Sequence, residues 1–294
     1  MTAARDPRLA LDDIDRLTGG GLGEFRTVCP VCASTRRTPA KARLRVLKIW
    51  RRNPDFASYA CAHCGIGGYA RAPGAPRARE PARRAAQEKR AIDVRRRREE
   101  AAFLWRISRP ARASPVEAYL RSRGIAYLPS TVRYLMPRRQ THHPAMIVPY
   151  GLPAEPEPGV LAMAETAIAA VHLTFLTADG RKAAMLGGAS AKITRGSPLG
   201  LPLVLAPMND LLGLAIAEGI EDAMSVHQAT GLGAWAAGCA SYLPSLADRV
   251  PDCADCVSLM ADDDADGRRH CDALARRLMG RGIHVELYEA PRRR

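Results

Sequence analysis

The sequence predicts a multidomain α/β protein, and three observations support that prediction. Two C-x2-C cysteine pairs stand near the amino terminus, in a segment short enough to be a small metal-binding ribbon. A strongly basic segment with a helical pattern follows it, and then a mixed α/β module. The last third of the chain alternates apolar runs of strand length with helical segments, which is the pattern of a parallel sheet covered on both faces.

Length and charge limit the kinds of function. A chain of 294 residues can form two or three small domains. It has no membrane-spanning run and no secretory signal, so we expect a soluble cytoplasmic protein without a membrane partner. Residues 1–205 hold 35 Lys and Arg against 16 Asp and Glu, whereas residues 206–294 hold 9 against 14. An arginine-rich proteome would explain a basic chain, but the asymmetry favours a polyanion bound by the first part and a cation held by the second.

Residues 24–70 are predicted to form a zinc ribbon. Its two knuckles can place four thiolates around one Zn²⁺, namely those of Cys29, Cys32, Cys61 and Cys64. Between the knuckles we expect a strand over residues 42–50, a turn at 52–55 and a second strand over 56–60. His63 lies inside the second knuckle, but four thiolates already complete the shell, so His63 is interpreted as a bystander.

The ribbon also carries a basic and aromatic surface. Arginines that pair with phosphates, beside aromatic rings that stack on bases, are typical of single-strand nucleic-acid binding. The residues assigned to such a surface are Arg43, Arg45, Lys48 and Trp50, with Arg51, Arg52, Phe56 and Tyr59 beside them. The alternative is that the aromatic rings form the small core of a zinc-stapled fold.

Residues 71–106 are predicted to be a basic linker and helix. Pro, Gly, Ala and Arg at the start indicate a linker, and a helical pattern runs from about Arg83 to Trp105. Residues 71–98 hold eleven basic side chains against three acidic ones. A solvated face is the first interpretation of such a run, and contact with a phosphate backbone is the second.

Residues 107–205 are predicted to be a mixed α/β module. A helix should begin at Ser114-Pro115, with Glu117 in the capping-box position, and stop at Gly124. Residues 145–151 predict a strand.

The second half of that module predicts a hairpin and a loop. Residues 167–186 predict two strands that turn at residues 178–180, and the Gly/Ser-rich run 185–200 predicts a flexible basic loop. Lysines in such loops are usually just solvated. The candidate phosphate-binding side chains here are Lys182, Lys192 and Arg195.

Residues 206–294 predict the parallel sheet. The expected order is strand, helix, strand, helix, strand, helix, strand, over residues 213–219, 220–230, 233–238, 241–250, 256–263, 264–282 and 284–290. Ligands of such sheets gather at the carboxyl ends of the strands. Glu218 and the aspartates of ADDDADG, residues 261–267, both stand there.

Carboxylates this close repel one another unless a cation lies among them. Mg²⁺ and Mn²⁺ take oxygen ligands and bridge carboxylates to phosphates, so Glu218, Asp262 and Asp264 are predicted to hold one or two such ions. Gly267 lets the chain turn into the next helix, whose amino terminus favours a phosphate. The alternative is an acid-rich turn with helix caps, although capping needs one aspartate and not four.

These residues carry a resemblance to a known family. Glu218-Gly219 after a strand, followed by D-x-D-x-x-G at residues 262–267, resembles the Toprim domain of bacterial primases, topoisomerases and some nucleases. EGIEDAMSV is similar to the E-G-x-x-D of primases, which implies that Asp222 is a supporting catalytic acid. The resemblance further implies a Rossmann-like sheet, catalytic roles for Glu218, Asp222, Asp262 and Asp264, a variable position at Asp263, and Asp266 as the cap of the next helix.

Residues 25–290 as a whole resemble the Toprim primases of phages, prophages and plasmids. The ribbon, the YLRSRGI segment and the strand pair before the basic loop carry this looser likeness. It implies a DNA primase that makes short RNA primers from nucleoside triphosphates on a single-stranded DNA template, with a replicative helicase acting in trans. A further Lys-Asp and Asn-Asp motif of such proteins does not follow the last strand, which leaves an inactive or partner-dependent relative open.

Other functions make different demands on the sequence. A topoisomerase needs a tyrosine nucleophile in a large clamp, for which this chain has no room. A Toprim nuclease would use the same acids, and a non-enzymatic DNA-binding protein would need no carboxylate cluster. CADC at residues 253–256 suggests a second zinc site with His270 and Cys271, but without a paired knuckle these cysteines are interpreted as loop and packing residues.

Overall fold

The computed structural model describes residues 8–36, 38–74, 80–139, 142–185, 190–198 and 200–289. Within these ranges the chain forms a four-stranded sheet, a ten-stranded sheet and a two-stranded hairpin. The helices are α1 (Leu11–Thr18), α2 (Pro39–Ala42), α3 (Glu80–Arg106), α4 (Pro115–Ser122), α5 (Ile220–Thr230) and α6 (Ala265–Met279). The strands are β1 (Gly23–Thr27), β2 (Leu47–Asn53), β3 (Phe56–Cys61), β4 (Gly67–Arg71), β5 (Arg109–Pro110), β6 (Arg133–Leu135), β7 (Ala145–Tyr150), β8 (Ala154–Glu157), β9 (Val160–Ala162), β10 (Ala170–Phe175), β11 (Lys192–Gly196), β12 (Leu203–Ala206), β13 (Gly213–Ala217), β14 (Gly233–Ala236), β15 (Cys256–Ala261) and β16 (His284–Glu289).

The amino-terminal ribbon is the antiparallel sheet β1-β2-β3-β4, with α1 packed on it. Its β3 matches the second predicted strand, but β2 begins at Leu47, so the prediction of strand from residue 42 is wrong. Residues 39–42 form α2 because the Thr38 hydroxyl accepts a hydrogen bond from the Lys41 amide and Pro39 takes the first helical position.

The basic helix α3 connects the ribbon to the large sheet. It begins at Glu80, three residues before the predicted start, and residues 75–79 of the linker lie outside the described ranges. The side chains of residues 87–92 are exposed, which agrees with a solvated face. Near its end, Ala101 and Trp105 are buried against one face of the sheet. No helix in the described ranges has both the length and the apolarity needed to span a membrane.

The middle module has the predicted helix and first strand. Ser114 caps α4 by accepting a hydrogen bond from the Val116 amide at 3.2 Å, and β7 lies where a strand was expected. The predicted hairpin is reduced to a single bridge between Leu176 and Lys182 after β10.

The predicted flexible loop is wrong over residues 192–196. These residues form the edge strand β11, which pairs antiparallel with β10. Residues 186–189 and 199 of the same predicted loop lie outside the described part of the chain.

The large sheet continues from the middle module into the carboxyl-terminal region. Its strand order is β11-β10-β7-β12-β14-β13-β15-β16, and β12 pairs antiparallel with both β7 and β14. From β14 to β16 the strands are parallel, as predicted. The predicted boundary at residues 205 and 206 therefore falls within one continuous sheet.

Helices cover both faces of the parallel strands. Tyr119 and Leu120 of α4 pack with Met224 of α5 on one face, and Leu274 and Leu278 of α6 pack on the other. The bounds of α5 match the prediction, whereas the helix predicted at residues 241–250 is a 3-10 helix, Ala240–Asp248. Pro244 inside this segment has no amide donor, which disfavours a regular α-helix. The mixed α/β fold class with a parallel carboxyl-terminal sheet is confirmed.

Candidate active site

The predicted metal-binding carboxylates lie near one another at the carboxyl ends of the parallel strands. Strands β13 and β15 are adjacent and parallel, so their carboxyl ends lie side by side. Glu218 follows β13 directly, and Asp262 follows β15. We call this edge, with Glu218, Asp262 and Asp264, the acid edge.

Glu218 is a strongly perturbed carboxyl group of the acid edge. Burial raises its pKa, the charges of Asp262 and Asp264 raise it further, and the pKa reaches about 7. The site therefore disfavours a third negative charge when no cation is bound. Hard oxygen donors in such surroundings are suited to Mg²⁺ or Mn²⁺.

The three carboxylates of the acid edge are near one another, but their oxygen atoms are not close enough together to coordinate one ion without movement of the side chains. Within the described ranges, three groups of potential ligand atoms lie within 4.8 Å of one another, and Glu218, Asp262 and Asp264 are not such a group. The three groups are Cys29, Cys32, Cys61 and Cys64; Cys32, His63 and Asp266; and Cys256, His284 and Glu286.

The aspartates after β15 make different contacts. Asp264, and not Asp266 as predicted, caps α6, because its Oδ1 accepts a hydrogen bond from the Gly267 amide at 2.7 Å. Asp263 pairs with Arg268 at 3.2 Å. Asp266 is the second residue of α6, two positions past the cap. It is buried, and Arg269 donates a hydrogen bond to it at 2.9 Å.

Asp222 stands on the first turn of α5, close to the chain at Gly219. A Cβ on Gly219 would lie 2.3 Å from Asp222 Oδ2, so glycine is needed there for this close approach. Asp222 also lines a cavity of about 320 Å³ with Ser122, Arg123 and Ser225, among others. This places the predicted supporting acid between the acid edge and the middle module.

A buried ion pair next to Asp222 was missed by sequence reasoning. Glu221 accepts hydrogen bonds from Lys192 Nζ at 3.0 Å and from the Tyr119 hydroxyl at 2.6 Å. Burial raises the pKa of Glu221, but Lys192 and Tyr119 lower it more, to about 2. His172, buried beside this pair, has its pKa lowered to about 4 by burial and by Lys192. Glu221 thus joins α5 to α4 and β11.

The three candidate phosphate-binding side chains do not form one cluster. Burial lowers the pKa of Lys182, and the positive charge of Lys192 lowers it further. These two lysines are therefore neighbours. Arg195 is exposed and stands three residues after Lys192 in β11, so the two side chains point to opposite faces of the sheet. Lys182 and Lys192 lie on the side of Glu221, and Arg195 lies on the face that α3 covers.

The four ribbon cysteines form a site of the kind that binds zinc, which we call the four-cysteine site. Their side chains are buried, and the Sγ atoms of Cys29 and Cys64, and of Cys32 and Cys61, are 3.8 Å apart. Four thiolates around a tetrahedral Zn²⁺ with Zn–S bonds near 2.3 Å would stand about 3.8 Å apart. The residues present therefore fit this ion.

The second knuckle, residues 61–64, contacts the parallel sheet at the carboxyl ends of its strands. Cys239 Sγ donates to the Ala62 carbonyl at 2.9 Å, and Arg269 donates to the Cys64 carbonyl at 3.1 Å. His63 Nδ1 lies 2.9 Å from Asp266 Oδ2, in ion-pair contact without hydrogen-bond geometry. His63 therefore lies outside the group of four cysteines, as interpreted from the sequence, but it contacts Asp266.

His63 interacts electrostatically with both the four-cysteine site and the acid edge. A hydrogen bond with Cys32, one of the four thiolates, raises the pKa of His63 despite partial burial. Its charge in turn lowers the pKa of Glu218, against the larger effects that raise it. The histidine thus stands between the four-cysteine site and the acid edge.

The outer face of the ribbon holds part of the predicted nucleic-acid surface. Lys48 Nζ lies 4.8 Å from the centre of the Trp50 ring and pairs with Glu24 at 2.9 Å. Arg43, Arg45 and Arg52 are exposed. Tyr69, which sequence reasoning missed, is 68% exposed and stacks on Phe56 with ring centres 6.1 Å apart.

Two of the neighbouring residues belong to the ribbon core instead. Tyr59 is buried and its hydroxyl accepts a hydrogen bond from the Leu9 amide. Arg51 is buried, pairs with Asp15 and donates to the Pro54 carbonyl. Both side chains point inward by strand alternation: the buried residues are 47, 49 and 51 in β2, and 57, 59 and 61 in β3.

Two domain families match separate parts of the chain. The Toprim domain family matches residues 213–294, and a domain of unknown function (DUF7146) matches residues 95–204. No curated protein matches the chain. Among solved structures, the primase of Aquifex aeolicus (zinc binding and RNA polymerase domains) is 13% identical, with 92% of this chain and 73% of that chain covered and a TM-score of 0.39. That degree of structural likeness carries no argument about function. The Toprim match covers the parallel strands and the acid edge.

Proposed function

We propose that this protein is a DNA primase that synthesises short RNA primers on single-stranded DNA by metal-dependent nucleotidyl transfer. The observation that carries the proposal is the acid edge within the region that matches the Toprim family. There, Glu218 and Asp262 end adjacent parallel strands, and the pKa of Glu218 is raised to about 7. The ribbon with its four-cysteine site, docked beside that edge, supports it.

On this proposal Glu218, Asp262 and Asp264 hold one or two Mg²⁺ or Mn²⁺ ions. Such cations would neutralise charge at the triphosphate and would lower the pKa of the attacking 3′-hydroxyl. Asp222 is exposed on the first turn of α5, and on this proposal it acts as a supporting acid. Asp264 also fixes the start of α6, so that the same side chain joins the ion site to the helix.

Basic side chains around the acid edge are proposed to bind phosphates. Lys182 and Lys192 face the cavity side of the sheet, where they would neutralise the triphosphate of an incoming nucleotide. Glu221 holds the Lys192 ammonium in place at 3.0 Å. Arg195, on the other face beside α3, would contact the template backbone instead.

The ribbon is proposed to bind Zn²⁺ and hold the template strand. Its outer face offers Trp50 for base stacking and Lys48, Arg43 and Arg45 for phosphates. Because the second knuckle contacts Asp266 and Arg269, a strand bound on the ribbon would lie near the acid edge. A helicase partner and a phage or plasmid origin rest on the sequence resemblance alone.

Primer synthesis on circular single-stranded DNA tests the proposal. The purified chain is incubated with labelled ribonucleoside triphosphates and Mg²⁺ or Mn²⁺. We expect short labelled products that alkali destroys, because they are RNA. Cleaved template without labelled product would instead indicate a Toprim nuclease acting through the same carboxylates. Retention of DNA without either product would indicate a non-enzymatic binding protein.

A further inference from the structure

A second cluster of metal-binding side chains lies at the opposite end of the parallel strands from the acid edge. Cys256 is the first residue of β15, and His284 is the first residue of β16. The Sγ of Cys256, a ring nitrogen of His284 and a carboxylate oxygen of Glu286 all lie within 4.8 Å of one another. Asp262 follows β15 six residues after Cys256, which places the acid edge about 20 Å away.

Strand register brings these three side chains to one face. Cys256 and His284 are direct partners in the parallel pair β15–β16. Glu286 follows His284 by two residues, so both side chains point to the same side of β16. The pairing runs from Cys256–His284 to Ala261–Glu289, which makes a slip of the register costly and holds the cluster together.

The carboxylate of Glu286 is already oriented. The Tyr288 hydroxyl donates a hydrogen bond to Glu286 Oε2 at 2.6 Å. The other oxygen, Oε1, lies 3.9 Å from His284 Nε2, too far for a hydrogen bond. In protein metal sites, a neighbouring group typically orients a ligating side chain by a hydrogen bond of this kind. Oε1 is therefore turned toward the imidazole and the thiol.

We propose that Cys256, His284 and Glu286 bind a divalent transition metal ion of the Zn²⁺ class. A thiolate, an imidazole and a carboxylate are the three kinds of side chain that ligate Zn²⁺, and water would take the fourth position. Ligand atoms around tetrahedral Zn²⁺ stand about 3.5 Å apart, so rotation of exposed side chains closes the present separations. On binding, the Cys256 thiol loses its proton to solvent.

The proposed site explains part of the CADC motif that the ribbon and the acid edge leave unused. Cys256 takes part, whereas Cys253 is exposed and outside the cluster. His270 and Cys271 lie on α6, where Cys271 is packed in the core and His270 stands near Gly65 of the ribbon. An ion at the proposed site would cross-link the edge strand β16 to β15. It would thereby stabilise the folded chain by an amount that grows with the logarithm of the free metal concentration above the Kd.

Zinc content at equilibrium tests the proposal. The full chain and its variants are dialysed against micromolar free Zn²⁺ with millimolar Mg²⁺ present, and the zinc per chain is measured. Cys256→Ser and His284→Ala should each hold one equivalent less than the unchanged chain. Cys253→Ser is the matched control and should lose none. Tyr288→Phe should weaken this site about tenfold, since it removes the group that orients Glu286.

Cobalt provides an independent readout. Co²⁺ binds such ligands more weakly than Zn²⁺, so it is added to a chain that keeps the ribbon zinc but has been dialysed free of weakly held zinc. It should give a thiolate-to-metal absorption band that Cys256→Ser abolishes and Cys253→Ser retains. His284 is exposed, so His284→Ala tests the site even where Cys256→Ser folds poorly. Equal zinc content in the unchanged chain and both ligand variants would overturn the proposal, as would an equal loss in Cys253→Ser.

Discussion

Glu218 illustrates what the fold does to a single carboxyl group. Its ordinary pKa of 4.5 is raised to about 7 by burial and by the neighbouring aspartates. Between these two values the folded chain holds a proton that the unfolded chain has released. The contribution of Glu218 to folding of the metal-free protein is therefore favourable at low pH and is lost as the pH rises through this window.

The first prediction is the pH dependence of stability. The Glu218 contribution to the free energy of unfolding of the metal-free chain should fall between about pH 4.5 and pH 7, by at most about 3 kcal/mol. His172 acts in the opposite direction, because its lowered pKa makes folding more favourable as the pH rises from about 4 to 6.5. Glu218→Gln should remove most of this fall, and Mg²⁺ should reduce it, because a cation favours the ionised carboxyl group. Urea unfolding at a series of pH values measures this, with exposed Glu157→Gln as control. A Glu218→Gln profile identical to that of the control would contradict the account.

Some site residues follow from the sequence and others do not. Glu218 and the aspartates could be predicted because each directly follows an apolar run, and the carboxyl ends of parallel strands meet at one edge. The role of Glu221 could not, because its partners Lys192 and Tyr119 come from distant segments that only the tertiary fold brings together. The adjacent acids of EGIED gave no local sign of which one would be buried.

Among the elements, the ribbon is the one whose stability we expect to depend most on a bound ion. Its buried side chains are few and include all four cysteines, so the metal replaces much of a hydrophobic core. Its sheet nevertheless makes defined contacts with the large sheet through the second knuckle.

We predict that Cys61→Ser abolishes zinc binding at the four-cysteine site and unfolds the ribbon. The large sheet should stay folded, because its two main cores contain no ribbon residue. Metal analysis and limited proteolysis measure this, with new cleavage expected within residues 24–70. Cys239→Ser, which alters a docking contact but no zinc ligand, serves as the control. Retention of the ribbon zinc in Cys61→Ser would refute the assignment of the four thiolates.

The outer face of the ribbon yields a separate prediction. Affinity for single-stranded DNA should fall steeply with salt, because each phosphate contact releases counterions. Trp50→Ala should weaken binding by about 1–3 kcal/mol through lost stacking, while keeping the salt slope. Fluorescence anisotropy with a labelled oligonucleotide measures both quantities. Tyr59→Phe, which changes a buried ring, should leave DNA affinity unchanged. Salt-independent binding would count against a phosphate-binding surface.

At this scale the sequence predicted elements whose signals are local. The helix α5 ends at Gly231, which has a left-handed φ of 71°, and its bounds were predicted correctly. The edge strand β11 was predicted as a loop because its flanks are rich in Gly and Ser. Residues 192–196 become a strand by pairing with β10, and that pairing has no signature in the segment itself.

At the scale of the whole molecule, the second knuckle contacts the large sheet between the four-cysteine site and the acid edge. Gly65, with a φ of 73°, lets the chain turn there, and a Cβ at this position would come within 3.3 Å of Ser241 Cβ. His63 contacts both Cys32 and Asp266. The cysteine spacing within the knuckle predicts the zinc site alone. It cannot predict contacts between the knuckle and segments that are distant in the sequence.

We predict that His63→Ala keeps the ribbon zinc but loosens its docking. Hydrogen–deuterium exchange should become faster in peptides covering residues 61–66 and 262–270, because the contact with Asp266 is lost. Exposed His143→Ala is the matched control. Unchanged exchange in both peptides would show that the contact does not hold the ribbon in place.

The most direct test of the central claim is primer synthesis by two neighbouring aspartate variants. Asp264→Asn removes a charge from the acid edge but keeps the cap of α6, because asparagine caps helices about as well as aspartate. Asp263→Asn removes the same charge from a side chain paired with Arg268. We expect Asp264→Asn to remain folded, to bind DNA and to lose primer synthesis by at least about 100-fold. Asp263→Asn should stay within a few-fold of the unchanged chain. Equal losses in both variants, or full synthesis by Asp264→Asn, would contradict the assignment of the acid edge as the catalytic metal site.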